Sequence, residues 1–121
     1  MTISDHSSES FKNSGLLNPQ HLAKLAEGAE AWNRWREKNP NTIPLLRKAD
    51  LSRMDLRGFN LAGAVLVLAR FIKADLGGAR LYQAELYGAD LREANLKKAD
   101  LRGAKLHNAD LQRANLLGAK L

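Results

Sequence analysis

Residues 99–121 read ADLRGAKLHNADLQRANLLGAKL, and from Leu101 to Leu121 every fifth residue is a leucine with an alanine two places before it. A helix cannot use that spacing, because five residues at about 100° each advance about 500° and scatter the leucines around the cylinder. A flat strand fails too, since alternation with period two sends residues five apart to opposite faces. A short extended piece followed by a turn does satisfy it. Alanine and leucine, two apart, face inward, and the turn restores the register before the next unit.

The pattern runs back from Leu121 without insertion to Pro44. Its 16 centres, Leu46 to Leu121, are leucine except Phe71, and the residue two before each is alanine except Pro44, Met54 and Phe59. If each turn bends the chain by about a right angle, four units close a coil and the next coil stacks on it at ~4.8 Å. Residues 20 apart then form columns, such as Leu51, Phe71, Leu91 and Leu111. Small alanines let opposite walls approach, so the interior is a filled core without a channel.

Units of the form Ala-Asp/Asn-Leu-x-x over residues 44–121 resemble the pentapeptide-repeat family. That resemblance implies an all-β solenoid, a right-handed quadrilateral β-helix, here of just under four coils. The stretch AWNRWREKNPNTIPLL, residues 31–46, is similar to a leader before the repeats in some bacterial, notably cyanobacterial, members.

Upstream, Asn18-Pro19 is an N-cap followed by proline at the first helical position, which predicts a helix from about Pro19 to Lys38, ended by Asn39-Pro40. Leu22, Leu25, Ala29, Trp32 and Trp35 form its apolar stripe. Trp32 and Trp35 are expected to cap the first coil, where the bulky Met54 and Phe59 replace alanine. The expected organisation is a flexible tail over 1–17, an N-terminal α-helical cap and entry segment over 18–43, and the β-helix over 44–121. The tail is rich in serine, but its Phe11, Leu16 and Leu17 are suited to docking on an apolar surface.

Catalytic chemistry finds no foothold in this pattern. There is no cysteine, and the three histidines are scattered over tail, helix and repeats, so neither a metal site nor a cofactor is expected. Asp50, Asp55, Asp75, Asp90, Asp100 and Asp110 recur because the unit recurs, and their short side chains suit bonding to turn amides. Glycines such as Gly58 and Gly88 mark corners, not a phosphate loop. The expectation is a non-enzymatic protein without a membrane span, in the cytoplasm.

Function is therefore sought on the outside. Val65, Val67, Leu68 and Tyr87 on one face, with Ile72 and Tyr82 on its flanks, form an expected apolar surface, covered either by the tail or by a protein partner. Leu106, Leu111, Leu116, Leu117 and Leu121 in the last coil are the expected interface of an end-to-end homodimer, unless the chain is cut from a longer array. Arg92, Lys97, Lys98, Arg102 and Lys105 make a basic run, but without an aromatic platform or a reading motif, which disfavours direct nucleic-acid binding. Some family members resemble duplex DNA and bind type II topoisomerases, giving quinolone resistance. Those are strongly acidic, whereas residues 44–121 carry 14 basic and 8 acidic side chains, which disfavours DNA mimicry here. The favoured expectation is a protein–protein interaction or scaffold module.

Overall fold

A computed structural model describes residues 15–121. Phe11 and the rest of residues 1–14, on which much of the tail expectation rests, lie outside the described residues.

From Leu45 onward the chain pairs with itself in parallel at a constant offset of 20, from Leu45 with Val65 through Asp100 with Lys120. Each pairing is a single bridge, because the chain turns before a longer strand develops. Leu56 N donates to Asp75 O (2.7 Å) and Asp75 N donates back to Met54 O (2.9 Å), and this exchange repeats up the molecule. An offset of 20 in five-residue units means four units per coil, so the architecture is a four-sided parallel β-helix.

The corners follow from one backbone state. Ala79 N donates to Leu76 O (3.0 Å) and closes a tight turn whose third residue, Gly78, has φ 65°. The same left-handed φ recurs two residues after every centre from Leu46 to Leu116, at six glycines and at nine residues that carry a side chain. Where aspartate or asparagine stands just before a centre, its side chain steadies the turn. Asp75 Oδ1 accepts from Gly77 N (3.0 Å) and Asn95 Oδ1 accepts from Lys97 N (3.1 Å).

Inside, the centres from Leu46 to Leu96 and the alanines from Ala64 to Ala99 are buried in one continuous core. Phe71 fits in a leucine column with no residual exposure.

The upstream segment differs from the single helix expected over Pro19–Lys38. It forms α1, Pro19–Leu25, and α2, Ala29–Lys38. Gly28 breaks the run: its φ of 105° and ψ of 173° are open to glycine alone, and helical bonding restarts with Trp32 N donating to Gly28 O (2.9 Å). The bend lets Leu25 of α1 and Trp32 of α2 enter the same core. Asn18 is the N-cap of α1, its Oδ1 accepting from Gln20 N (2.9 Å).

The helices meet the first coil through a chain of rings. His21 lies 5.0 Å from Trp35, Trp35 lies 5.0 Å from Trp32, and Trp32 lies 6.3 Å from Phe59, all tilted. Met54 is partly buried beside them. Polar bonds lock the register: Trp32 Nε1 donates to Asn60 O (2.7 Å), Asn33 Nδ2 donates to Gly58 O (3.0 Å), and Asn60 N donates to Asn33 Oδ1 (2.8 Å). Trp32→Ala opens a large cavity and removes one of the two donors to Asn60 O, so chemical denaturation should register a loss of about 3–5 kcal/mol. A loss below about 1 kcal/mol would remove Trp32 from the structural core.

Candidate interaction surfaces

The apolar residues outside the coil occupy three adjoining sides. Val65, Val67, Leu68 and Tyr87 share a face, Ile72 sits around one corner, and Tyr82 around the other. Val65, Val67, Ile72 and Tyr87 are each half-buried, while Leu68 and Tyr82 are 41% and 38% exposed. Leu68 lies across the next coil at Gly88, where an added Cβ would stand 2.7 Å from Leu68 Cδ2. Below Val67 in the same column, Tyr87 stacks on His107 at 5.4 Å and 27°. Leu68 holds a left-handed φ of 61°, and of the nine side chains at that corner position it alone is apolar.

Tyr82 has a different setting. With Gln83, Arg102 and Gly103 it lines an open depression of about 330 Å³. An aromatic ring therefore does stand beside one residue of the basic run, contrary to the expectation that the run lacks one. The run is also partly neutralised: Arg92 pairs with Asp90 (2.6 Å) and Arg102 with Asp100 (2.6 Å).

The last-coil leucines divide as well. Leu106, Leu111 and Leu116 are half-buried wall residues, while Leu117 and Leu121 are 70% and 79% exposed. Leu117 follows its centre and so belongs to the outer side, not to the end with the others.

Sequence reasoning missed Arg36, which reaches from α2 to Asn60 O (2.8 Å) and Ala62 O (2.9 Å). Its place four residues after Trp32, on the same helix face, was the available signal. It missed His21 too, whose Nδ1 accepts from Leu45 N (3.0 Å) and ties α1 to the entry of the coil.

Among the described residues no group of three or more His, Asp or Glu is placed to hold a metal ion, and no helix is long and apolar enough to cross a membrane. Instead the aspartates serve the turns and pair with arginines. Arg57 bonds Asp55 through Nε and Nη2, both at 2.8 Å, and Arg102 bonds Asp100 at 2.8 and 2.6 Å. These arginine side chains, with the turn amides, hold the Asp55 and Asp100 carboxyls at about 2.

Parallel bridges 20 apart, corners every five residues and a filled alanine–leucine interior define a repeat solenoid with four units per coil. The family model for pentapeptide repeats, eight copies long, matches residues 46–83 and again 84–121, and the chain belongs to that family. A solved pentapeptide repeat protein from Nostoc PCC 7120, alr5209, shares 44% identity with a TM-score of 0.61, over 62% of each chain. HetL, a pentapeptide repeat protein from Nostoc sp. strain PCC 7120 involved in heterocyst differentiation regulation, is 36% identical over 58% of this chain and 39% of its own, with a TM-score of 0.25. Rfr23 from the cyanobacterium Cyanothece 51142 is 30% identical over 64% of this chain and 60% of its own, with a TM-score of 0.25. This chain thus spans less than two thirds of each of these relatives. No curated protein matches it.

Two pH windows follow. Burial lowers the pKa of His21, so the unfolded chain binds the extra proton first, and stability should fall as pH drops below about 6.5. The depressed carboxyls of Asp55 and Asp100 contribute above about 4, and their contribution is lost as pH falls from there to about 2. Melting temperature measured against pH should drop in both windows. In His21→Gln the upper drop should vanish and the lower one remain.

Proposed function

We propose that this protein is a non-enzymatic interaction module, a rigid right-handed coil of just under four turns that presents an apolar face to a protein partner in the cytoplasm. Val65, Val67, Leu68 and Tyr87 form the centre of that face, with Ile72 at its edge. The observation that carries the reading is Leu68. A large apolar side chain in a left-handed backbone state costs about 1–2 kcal/mol against glycine, and here it also remains 41% exposed. Glycine serves the same corner at Gly88 and lysine at Lys48, so turn chemistry does not call for leucine. In this reading α1 and α2, through Trp32, Trp35, Met54 and Phe59, cap the first coil and keep the rod monomeric at that end. DNA mimicry does not suit a basic coil, and among the described residues the aspartates are taken up by turn amides and arginines.

A second reading concerns the last coil, where Leu106, Leu111 and Leu116 are half-buried and Leu121 is exposed. Apolar side chains along a coil edge, with the backbone groups beside them, suit pairing with a second copy. Light scattering tests it: a concentration-dependent dimer abolished by Leu111→Glu supports pairing, and a monomer at all concentrations overturns it.

For the apolar face, Val67→Glu introduces a charge at an outward position that tolerates arginine one coil earlier, at Arg47. The variant should keep its melting temperature and circular dichroism and lose partner capture in a pull-down by roughly tenfold or more. Undiminished capture by Val67→Glu, with Leu68→Glu behaving alike, would overturn the reading.

A further inference from the structure

One side of the coil carries three arginines and a tyrosine on neighbouring columns. Arg36 descends from α2 and bonds Asn60 O and Ala62 O at 2.8 and 2.9 Å. One coil on, Arg80 bridges to Asn60, and Tyr82 lies under the neighbouring corner, its carbonyl accepting from Gly63 N (2.9 Å). Another coil on, Arg102 accepts at its carbonyl from Gln83 N (2.9 Å) and lines the depression with Tyr82. At ~4.8 Å per coil, the three cations stand on successive rungs.

Their charge is not cancelled. Asp100 is held by Arg102, leaving one carboxylate among three guanidinium groups, and Arg80 has no ion pair among the described residues. Elsewhere single arginines sit against one or two carboxylates: Arg70 meets Asp50, Arg57 lies between Asp55 and Asp75, and Arg92 between Asp90 and Asp110. Arg36 and Arg102 each use two of the five guanidinium N–H donors, so each keeps a free edge. Burial and the nearby Arg80 both lower the Arg36 pKa, while the nearby Tyr82 raises it, consistent with all three groups lying together.

We propose that this side binds an acidic segment of a partner protein, its Asp or Glu carboxylates bridging Arg80 to the free edges of Arg36 and Arg102, and an apolar side chain resting on Tyr82. Guanidinium forks match planar carboxylates in pairs, which favours this chemistry. The exposed ring beside them supplies the apolar contact. Arg92 and Arg102 of the basic run are already paired with Asp90 and Asp100, which reduces the charge that run offers to a nucleic acid. The site goes beyond the reading of the Val67 face and does not share its residues.

The test titrates the full isotopically labelled chain with the peptide acetyl-Glu-Leu-Glu-Glu-amide, with inorganic phosphate, and with a single-stranded oligonucleotide. The peptide should shift the signals of Tyr82, Gln83 and Arg102. Arg80→Gln should weaken it about fivefold or more, Arg80→Lys should fall between, and Arg53→Gln and Val67→Glu should leave it unchanged. Loss of peptide binding in Val67→Glu but not in Arg80→Gln would assign binding to the apolar face and overturn the proposal. So would equal weakening by Arg53→Gln, the same shifts from phosphate at the same concentration, tighter binding of the oligonucleotide at this site, or no shift with the peptide.

Discussion

Every side of this molecule depends on one backbone state, the left-handed conformation two residues after each central leucine. It reverses the chain's direction quickly enough for a five-residue unit to occupy one side of a coil. Nine of these corners carry a side chain, in a state that costs an L-residue about 1–2 kcal/mol. Coil closure makes up for it: a buried leucine contributes about 1.5–3 kcal/mol, and each turn aligns the next extended residue for its parallel hydrogen bonds. The strain is sustained because the ladder, the core and the aspartate-bonded turns all require the same geometry.

The N-terminal helices join that lattice at its least regular point. Met54 and Phe59 stand where the repeat elsewhere has alanine, and Trp32 meets Phe59 there. Carbonyls at the outer rim of the first coil, which no earlier coil covers, are taken up by Trp32, Asn33 and Arg36. Buried backbone acceptors left without donors are costly, so these bonds align the helices with the coil as well as holding them there. Arg36 has a second consequence, since anchoring it to Asn60 and Ala62 carries its charge down beside Arg80 and Tyr82.

Charge on the outside follows the register. An offset of 20 turns a linear sequence into columns, and column neighbours together with pairs two residues apart in one unit decide which charges neutralise each other. Asp50, Arg70 and Asp90 share one column and form an alternating ladder. The column of Asn60, Arg80, Asp100 and Lys120 sits beside one that holds Ala62, Tyr82 and Arg102, and that side keeps a local excess of cations. Net charge alone conveys none of this distinction.

The period of five was legible in residues 99–121 because only a short extended piece with a corner turns that spacing into a single inward face, whereas four sides per coil came from the resemblance to pentapeptide repeats. The inward leucines, the role of Asp75 and its equivalents, and the apolar character of Val67 and Leu68 were likewise readable from position within the unit. The break at Gly28 was not, because the apolar stripe runs through it and an isolated glycine is tolerated in many helices. Nor was the approach of Arg36 to Arg80 and Tyr82. That depends on which residues the coil register and the helix–coil contact bring within a few ångströms, across separations of 20 or more in the chain, and local periodicity carries no information about such distances.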